Sequence, residues 1–205
     1  MQGGAVRCTY RTIHPDARMK RFAHVIGFDD APFAREHRGD VLIVGAVYAG
    51  SRLEGVLSGK VRRDGANATT VLCELVRRSR FAPQLHLVLL QGIALAGFNV
   101  VDLPALHEAL DVPVISVVRR RPDMAKVRRA LLERVPGGGR KWRLIEKAGP
   151  VEPLAGLFGQ RAGIGADDAG RVLKRLALSG NMPEPLRTAH LIAAGIALGE
   201  SRHRV

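Results

Sequence analysis

The run Val41-Leu42-Ile43-Val44-Gly45-Ala46-Val47-Tyr48 carries no charged side chain and only a terminal hydroxyl. It is far shorter than the roughly 20 residues that span a bilayer. It also lacks the apolar–polar alternation of a strand with one wet face. A strand of this composition has to be covered on both sides, so the chain must build a layered domain around a sheet. Neighbouring segments fit that requirement. Ala23 to Asp29 reads as a preceding strand, Ala49-Gly50-Ser51-Arg52 as a tight turn, and Leu53 to Arg62 as a third strand with Leu53, Val56 and Val61 apolar. The three are expected to form an antiparallel meander.

From Asn67 onward the pattern alternates. Asn67 is placed to cap a helix from Ala68 to about Arg80, with Val71, Leu72, Leu75 and Val76 on one face. Leu85 to Leu90 is a short apolar run suited to a central parallel strand ending at Gln91-Gly92. Gly97 to Asp102 leads into a helix near Leu103 to Leu110. Pro113 to Val118 is the next buried strand, followed by a helix from about Met124 to Val135. Gly137-Gly138-Gly139 reads as a flexible turn, and Trp142 to Lys147 as a short edge strand. Two more helices close the chain, one begun by Asp167 or Asp168 and stopped at Ser179-Gly180. The other starts at Pro183-Glu184-Pro185 and runs to about Leu198. The expected fold is α/β, a mixed sheet of meander and parallel strands flanked by helices.

A chain of 205 residues with 46% hydrophobic and 4% aromatic content can bury one sizeable, mostly aliphatic core. Residues 1–22 read as a basic N-terminal segment and 23–205 as a single domain. Met1 to Lys20 has no apolar core of the kind a secretion signal needs. The two cysteines, Cys8 and Cys73, lie far apart and form no ligand pair by spacing. A cytoplasmic protein with reduced thiols and no membrane attachment is the expectation. The net charge of +13, from 32 Lys and Arg against 19 Asp and Glu, makes nucleic acid a reasonable partner class, because the arginine fork suits phosphate oxygens. Arginine-rich composition alone would produce the same number.

Chemistry is sought where strands end, since sheets of this class bind ligands there. The apolar climb Val25-Ile26-Gly27-Phe28 stops at Asp29-Asp30, with Ala31-Pro32-Phe33 after it. Two carboxylates at the edge of a core are either a polar strand exit or oxygen ligands for a divalent cation. Asp64 follows the third strand and is either a turn residue before Gly65 or a second ligand. Gln91 ends the central strand. His190 lies on the stripe Leu186, His190, Ala193 and Ala197 of the last helix, as a satisfied core histidine or as a ligand and proton carrier. Arg119, Arg120 and Arg121 end a parallel strand, where a nucleic-acid backbone could pass. Arg187 is a further candidate contact. Gly163-Ile164-Gly165 lacks the third glycine and the preceding strand of a dinucleotide loop, so no dinucleotide cofactor is expected.

Four separated segments carry a resemblance over nearly the whole chain. They are Val25–Phe33, Asp64-Gly65-Ala66-Asn67-Ala68-Thr69, Gly97-Phe98-Asn99-Val100-Val101-Asp102 and Pro183-Glu184-Pro185-Leu186-Arg187-Thr188-Ala189-His190. In order and spacing they resemble the archaeal DUF99 family, also called UPF0215 or endonuclease dU, which is similar to endonuclease V. The resemblance implies a ribonuclease H-like fold and a magnesium- or manganese-dependent endonuclease that nicks DNA containing deaminated bases such as deoxyuridine, a DNA-repair activity. It implies that Asp29 is the first metal-binding aspartate, that Asp64 stands near the second acid, and that His190 takes the place of the last ligand. Asp30 and Gln91 join these as metal-site residues, and Arg119 as a phosphate contact. The chain departs from the family pattern at Gln91 and Asn67, where members usually have aspartate. An amide oxygen brings no charge to a cation. Two readings therefore stay open: a metal-dependent nuclease acting on DNA or RNA, and a nucleic-acid-binding protein of the same fold with weakened or lost catalysis.

Overall fold

The computed structural model describes residues 22–201. Cys8 and all of the expected basic N-terminal segment except Phe22 lie outside the described residues. Strands β1 (His24–Asp30), β2 (Asp40–Ala49) and β3 (Arg52–Arg62) are followed by helix α1 (Ala68–Arg77) and strand β4 (Leu87–Gln91). A small hairpin, β5 (Ala94–Leu95) and β6 (Asn99–Val100), precedes α2 (Leu103–Leu110) and β7 (Val114–Val118). Then come α3 (Met124–Arg134), α4 (Gly138–Lys147), β8 (Glu152–Leu154), β9 (Leu157–Ala162), α5 (Ala166–Leu176) and α6 (Glu184–Leu198).

Among the described residues, seven strands form one sheet in the order β3-β2-β1-β4-β7-β9-β8. β1, β2 and β3 make the antiparallel meander, β1, β4 and β7 run parallel, and β9 and β8 return antiparallel. The strand pleat divides the core by parity. Ile26, Phe28, Val88 and Leu90 pack with Leu72, Leu103 and Leu106 of α1 and α2. Val25, Leu87, Leu89, Ile115 and Val117 pack on the other face with Val172, Leu173 and Leu186 of α5 and α6. Central strands covered on both sides are the outcome that the uninterrupted apolar runs require. Among the described residues no helix is long and apolar enough to cross a membrane.

One close approach sets the height of α6 over the sheet. A Cβ on Gly27 would lie 2.5 Å from the carbonyl carbon of Pro185, so only hydrogen at this position lets the first turn of α6 settle on β1. Tyr48 Oη and Thr188 Oγ1, 2.8 Å apart, tie the same helix to β2. Gly27→Ala is expected to destabilise the protein by about 2 kcal/mol, because the obstacle is backbone and α6 must lift as a unit. Urea unfolding checks this, and an unchanged midpoint would contradict the close packing of α6 on β1.

Three expectations are corrected. Trp142 to Lys147 is not an edge strand but the body of α4, whose buried positions Gly138, Lys141 and Ile145 repeat at helical rather than alternating spacing. The strands on that side of the sheet are instead β9, paired with β7, and the edge strand β8, which at three residues is too short to show a pattern. Of the three glycines expected as a turn, Gly137 alone turns the chain, with φ +70°, while Gly138 and Gly139 begin α4. Finally, a strand does precede Gly163-Ile164-Gly165, namely β9, but it lies antiparallel to β7 and Asp168 stands where a third glycine would be needed.

Candidate active site

The directions of β1, β3, β4 and β7 place their carboxyl ends on one edge of the sheet, the edge where ligands bind in this architecture. Asp29 and Asp30, Arg62 to Asp64, Gln91 and Arg119 to Arg121 therefore share that edge.

Asp29 is its centre. The residue is only 4% exposed, its Oδ2 is 2.8 Å from His190 Nδ1, and its Oδ1 accepts a hydrogen bond from the Asp30 N–H at 3.0 Å. Burial raises the Asp29 carboxyl above the usual carboxylate range, against the opposing pull of the His190 bond and charge and the Asp30 amide. Because Phe28 pairs with Leu90, the next residues along the two parallel strands, Asp29 and Gln91, stand side by side. Both face α6. Gln91 Oε1 is buried and takes no hydrogen bond among the described residues. A desolvated acceptor without a donor costs free energy unless something binds it.

Asp30 points the other way, as strand alternation demands. Its Oδ2 accepts from the Ala96 N–H at 3.0 Å. Burial first, and the neighbouring Asp29 charge second, raise its pKa from 3.8 to about 6. Asp64 is held at the same turn. It adopts a left-handed φ of +49°, a conformation aspartate tolerates better than most side chains. Its N–H donates to the Ala96 carbonyl at 2.9 Å, its Oδ1 accepts from the Phe98 N–H at 2.8 Å, and its Oδ2 lies 3.3 Å from Arg63 Nε. Gly97 admits this arrangement, since a Cβ there would sit 2.5 Å from Asp64 Oδ1.

The structure thus brings Asp29, His190 and Gln91 together on one face and ties Asp30 and Asp64 to the residue 96–98 turn on the other. Among the described residues, no three His, Cys, Asp or Glu side chains converge as a metal cage. Arg119 and Arg120 are exposed after β7. Arg187 instead forks onto the Glu184 carboxylate one turn away, with Nε 2.9 and 3.0 Å from its two oxygens, and that bond and charge raise its pKa further.

Two residues not singled out in the sequence support this edge. Lys141, buried on α4, donates to the Asp64 carbonyl, and desolvation lowers its pKa despite the Asp64 charge. Its position in the same helical stripe as Ile145 was the available signal. Asn99 is fully buried. Its Oδ1 accepts from Ala68 N at 3.0 Å and its Nδ2 donates to Arg62 O and Asn67 Oδ1 at 2.8 and 2.7 Å. Asn67 occupies the N-cap position of α1 as expected, but its side chain makes no capping bond there. Asn99 reaches across from β6 to serve the buried Ala68 amide of the first turn instead.

The order of the sheet, with its leading meander, parallel centre and carboxylate at the end of β1, defines a ribonuclease H-like domain. Endonuclease V from Ciona intestinalis, solved with a DNA containing inosine followed by ribo-adenosine, aligns over 82% of each chain with a TM-score of 0.52 and 12% identity. A structure of human endonuclease V aligns with a TM-score of 0.51, 17% identity, and coverage of 82% of this chain and 81% of that one. The chain belongs to the endonuclease dU family, whose model matches residues 21–197. It is 62% identical over 181 residues to a UPF0215 protein of Deinococcus radiodurans, covering 88% of this chain and 92% of that one. A UPF0215 protein of Methanothermobacter thermautotrophicus is 44% identical over 193 residues, with coverage of 92% and 95%. The crystal structure of a protein of unknown function from Archaeoglobus fulgidus is similar at 34% identity and a TM-score of 0.79, over 84% of this chain and 97% of that one.

Proposed function

We propose that this protein is a metal-dependent endonuclease that nicks DNA containing deaminated bases such as deoxyuridine. The observation that carries this reading is the orphaned Gln91 Oε1 lying beside a buried, His190-bonded Asp29 at the carboxyl edge. One carboxylate and one amide oxygen fit a magnesium or manganese ion, a hard cation that keeps several waters and takes the rest of its shell from substrate phosphate. When bound, such an ion would polarise the phosphodiester and lower the pKa of a water. Asp29 and Gln91 would hold it. His190 fixes the rotamer of Asp29 through Nδ1, and is the group nearest that carboxylate able to carry a proton near neutral pH. Asp30 and Asp64 act by holding the 96–98 turn against the edge, not as oxygens on the ion. Arg119 and Arg120, exposed beside the site, take the phosphates of the strand.

Incubating a duplex with one deoxyuridine in magnesium or manganese, against the same reaction in EDTA, tests the reading. Nicking that survives EDTA would defeat it. The neutral Gln91, together with the lack of a three-ligand cage among the described residues, favours a second reading, a nucleic-acid-binding protein without catalysis. Salt-sensitive duplex binding with no nicking in either metal would support that alternative. Gln91→Asp supplies the missing charge next to Asp29. It is expected to raise metal affinity about 10-fold, read by the magnesium concentration that gives half-maximal nicking. An unchanged half-maximum would place the ion away from Gln91.

A further inference from the structure

On the hairpin face of the sheet, round the edge from Asp29, a cavity of about 210 Å³ opens between the β5–β6 hairpin and helices α3 and α4. Gly92, the residue after Gln91, lines it together with Phe98, Val118 and Met124. The volume falls below the roughly 300–1,000 Å³ typical of drug-sized ligands and suits a single heterocycle. In this apolar lining stand two buried polar side chains, Ser116 and Gln160, which are 3% and 4% exposed. They are direct partners across the antiparallel β7–β9 pair, so their side chains leave the sheet next to each other on one face.

The amide of Gln160 has a defined polarity. Nε2 lies 3.0 Å from the Ile145 carbonyl and 2.6 Å from the Gly149 carbonyl, both at the C-terminal end of α4. Two carbonyl acceptors consume both hydrogens of Nε2 and prevent the amide from flipping. Oε1 is left as a pure acceptor, and it takes no hydrogen bond from the described residues. Ser116 Oγ also makes none, and its hydroxyl is free to rotate into either role.

We infer that Gln160 is a specificity-determining residue that selects a deaminated base by accepting its ring N–H. The inference rests on the reading above, that the substrate carries such a base. Deamination of cytosine turns N3 from an acceptor into an N–H donor and replaces the 4-amino group with a carbonyl. Deamination of adenine does the same at N1 and C6. A locked acceptor at Gln160 Oε1 pairs with the new N–H and repels the lone pair of the parent base. The Ser116 hydroxyl, beside it, donates to the new carbonyl. Extrusion is easiest for a mispaired base, which brings the lesion to the cavity first. The imide edge is shared with thymine, so this contact separates a deaminated base from its parent, cytosine or adenine.

Duplex binding in EDTA, followed by fluorescence anisotropy, tests the contact without chemistry. The probes carry one dU, one dC or one N3-methyl-dU opposite dG. Wild type is expected to bind the dU duplex about 10-fold more tightly than the dC duplex, with N3-methylation removing that preference. Gln160→Leu, checked for folding by its thermal melt, is expected to reduce the ratio to under about threefold. N3-methyl-dU bound as tightly as dU, or a folded Gln160→Leu that keeps the full ratio, overturns the role of Gln160 and leaves the nuclease reading standing. Wild type with no preference for dU over dC, in binding or in nicking, overturns both. Should Gln160→Leu fail to fold for want of its two bonds to α4, the N3-methyl probe decides the question on the unaltered protein.

Discussion

Asp29→Ala is expected to lower the rate of nicking at deoxyuridine by about 100-fold or more, because it removes the charged oxygen that would face the ion and breaks the contact with His190 Nδ1. Duplex affinity in EDTA should change by less than about threefold, since affinity for nucleic acid resides mainly in Lys and Arg contacts to phosphate. Single-turnover nicking and anisotropy on one preparation separate the two effects. Equal nicking by wild type and variant would remove Asp29 from the reaction. A parallel loss of affinity would assign it to binding instead. Asp29→Asn makes a useful companion, as it keeps the shape of the side chain and discards the charge.

The second large effect concerns stability. Burial, with the Asp29 charge behind it, lifts the Asp30 pKa from 3.8 to about 6, and the Ala96 amide offsets this only in part. A folded pKa above the unfolded one means that the fold binds a proton the unfolded chain releases. The contribution of Asp30 is therefore fully favourable below about pH 4 and is lost as pH rises through about 6. Asn at this position cannot ionise and retains an oxygen for the Ala96 N–H. Asp30→Asn is expected to exceed wild type in stability by roughly 3 kcal/mol near pH 8, with the gap closing toward pH 4. Urea midpoints taken across that pH range check it. A gap independent of pH would mean that Asp30 does not titrate with folding. Asp29, also raised by burial, contributes in the same direction.

The central strands were legible in the sequence because double-sided burial demands unbroken apolar runs, and Val41 to Tyr48 or Leu85 to Leu90 can be little else. Helix α2 was legible at both ends. Elements of two or three residues were not, since β5, β6 and β8 are shorter than any period that would announce them. Helix α4 was misread because Trp142, Leu144 and Ile145 look strand-like when Lys141 is counted as solvent-exposed. Its ammonium is in fact buried against the Asp64 carbonyl, which turns a broken alternation into a helical stripe.

For the site, residue types and position marked Asp29, Asp30, Asp64, Gln91 and His190 as candidates, the family resemblance joined them as a set, and the set then divides. Pleat geometry sends Asp30 away from Asp29, a division that parity along β1 already contains. Asp64 goes to the 96–98 turn because Gly97 leaves room for its carboxylate, a fact of packing between segments more than 30 residues apart.

The apolar runs, turns and helical stripes of this chain follow from local physics, because burial on one face or two imposes its period on adjacent residues. They determined the layered sheet and the edge on which its carboxylates would stand. The joining of Asp29 to His190 spans 161 residues and has no local period to record it. It depends on the hydrogen of Gly27 meeting the backbone of Pro185, which lets α6 lie low enough for an imidazole to reach a buried carboxylate. Only the tertiary structure decided that contact, and it decided equally that Gln91 Oε1 would be left beside it without a donor among the described residues.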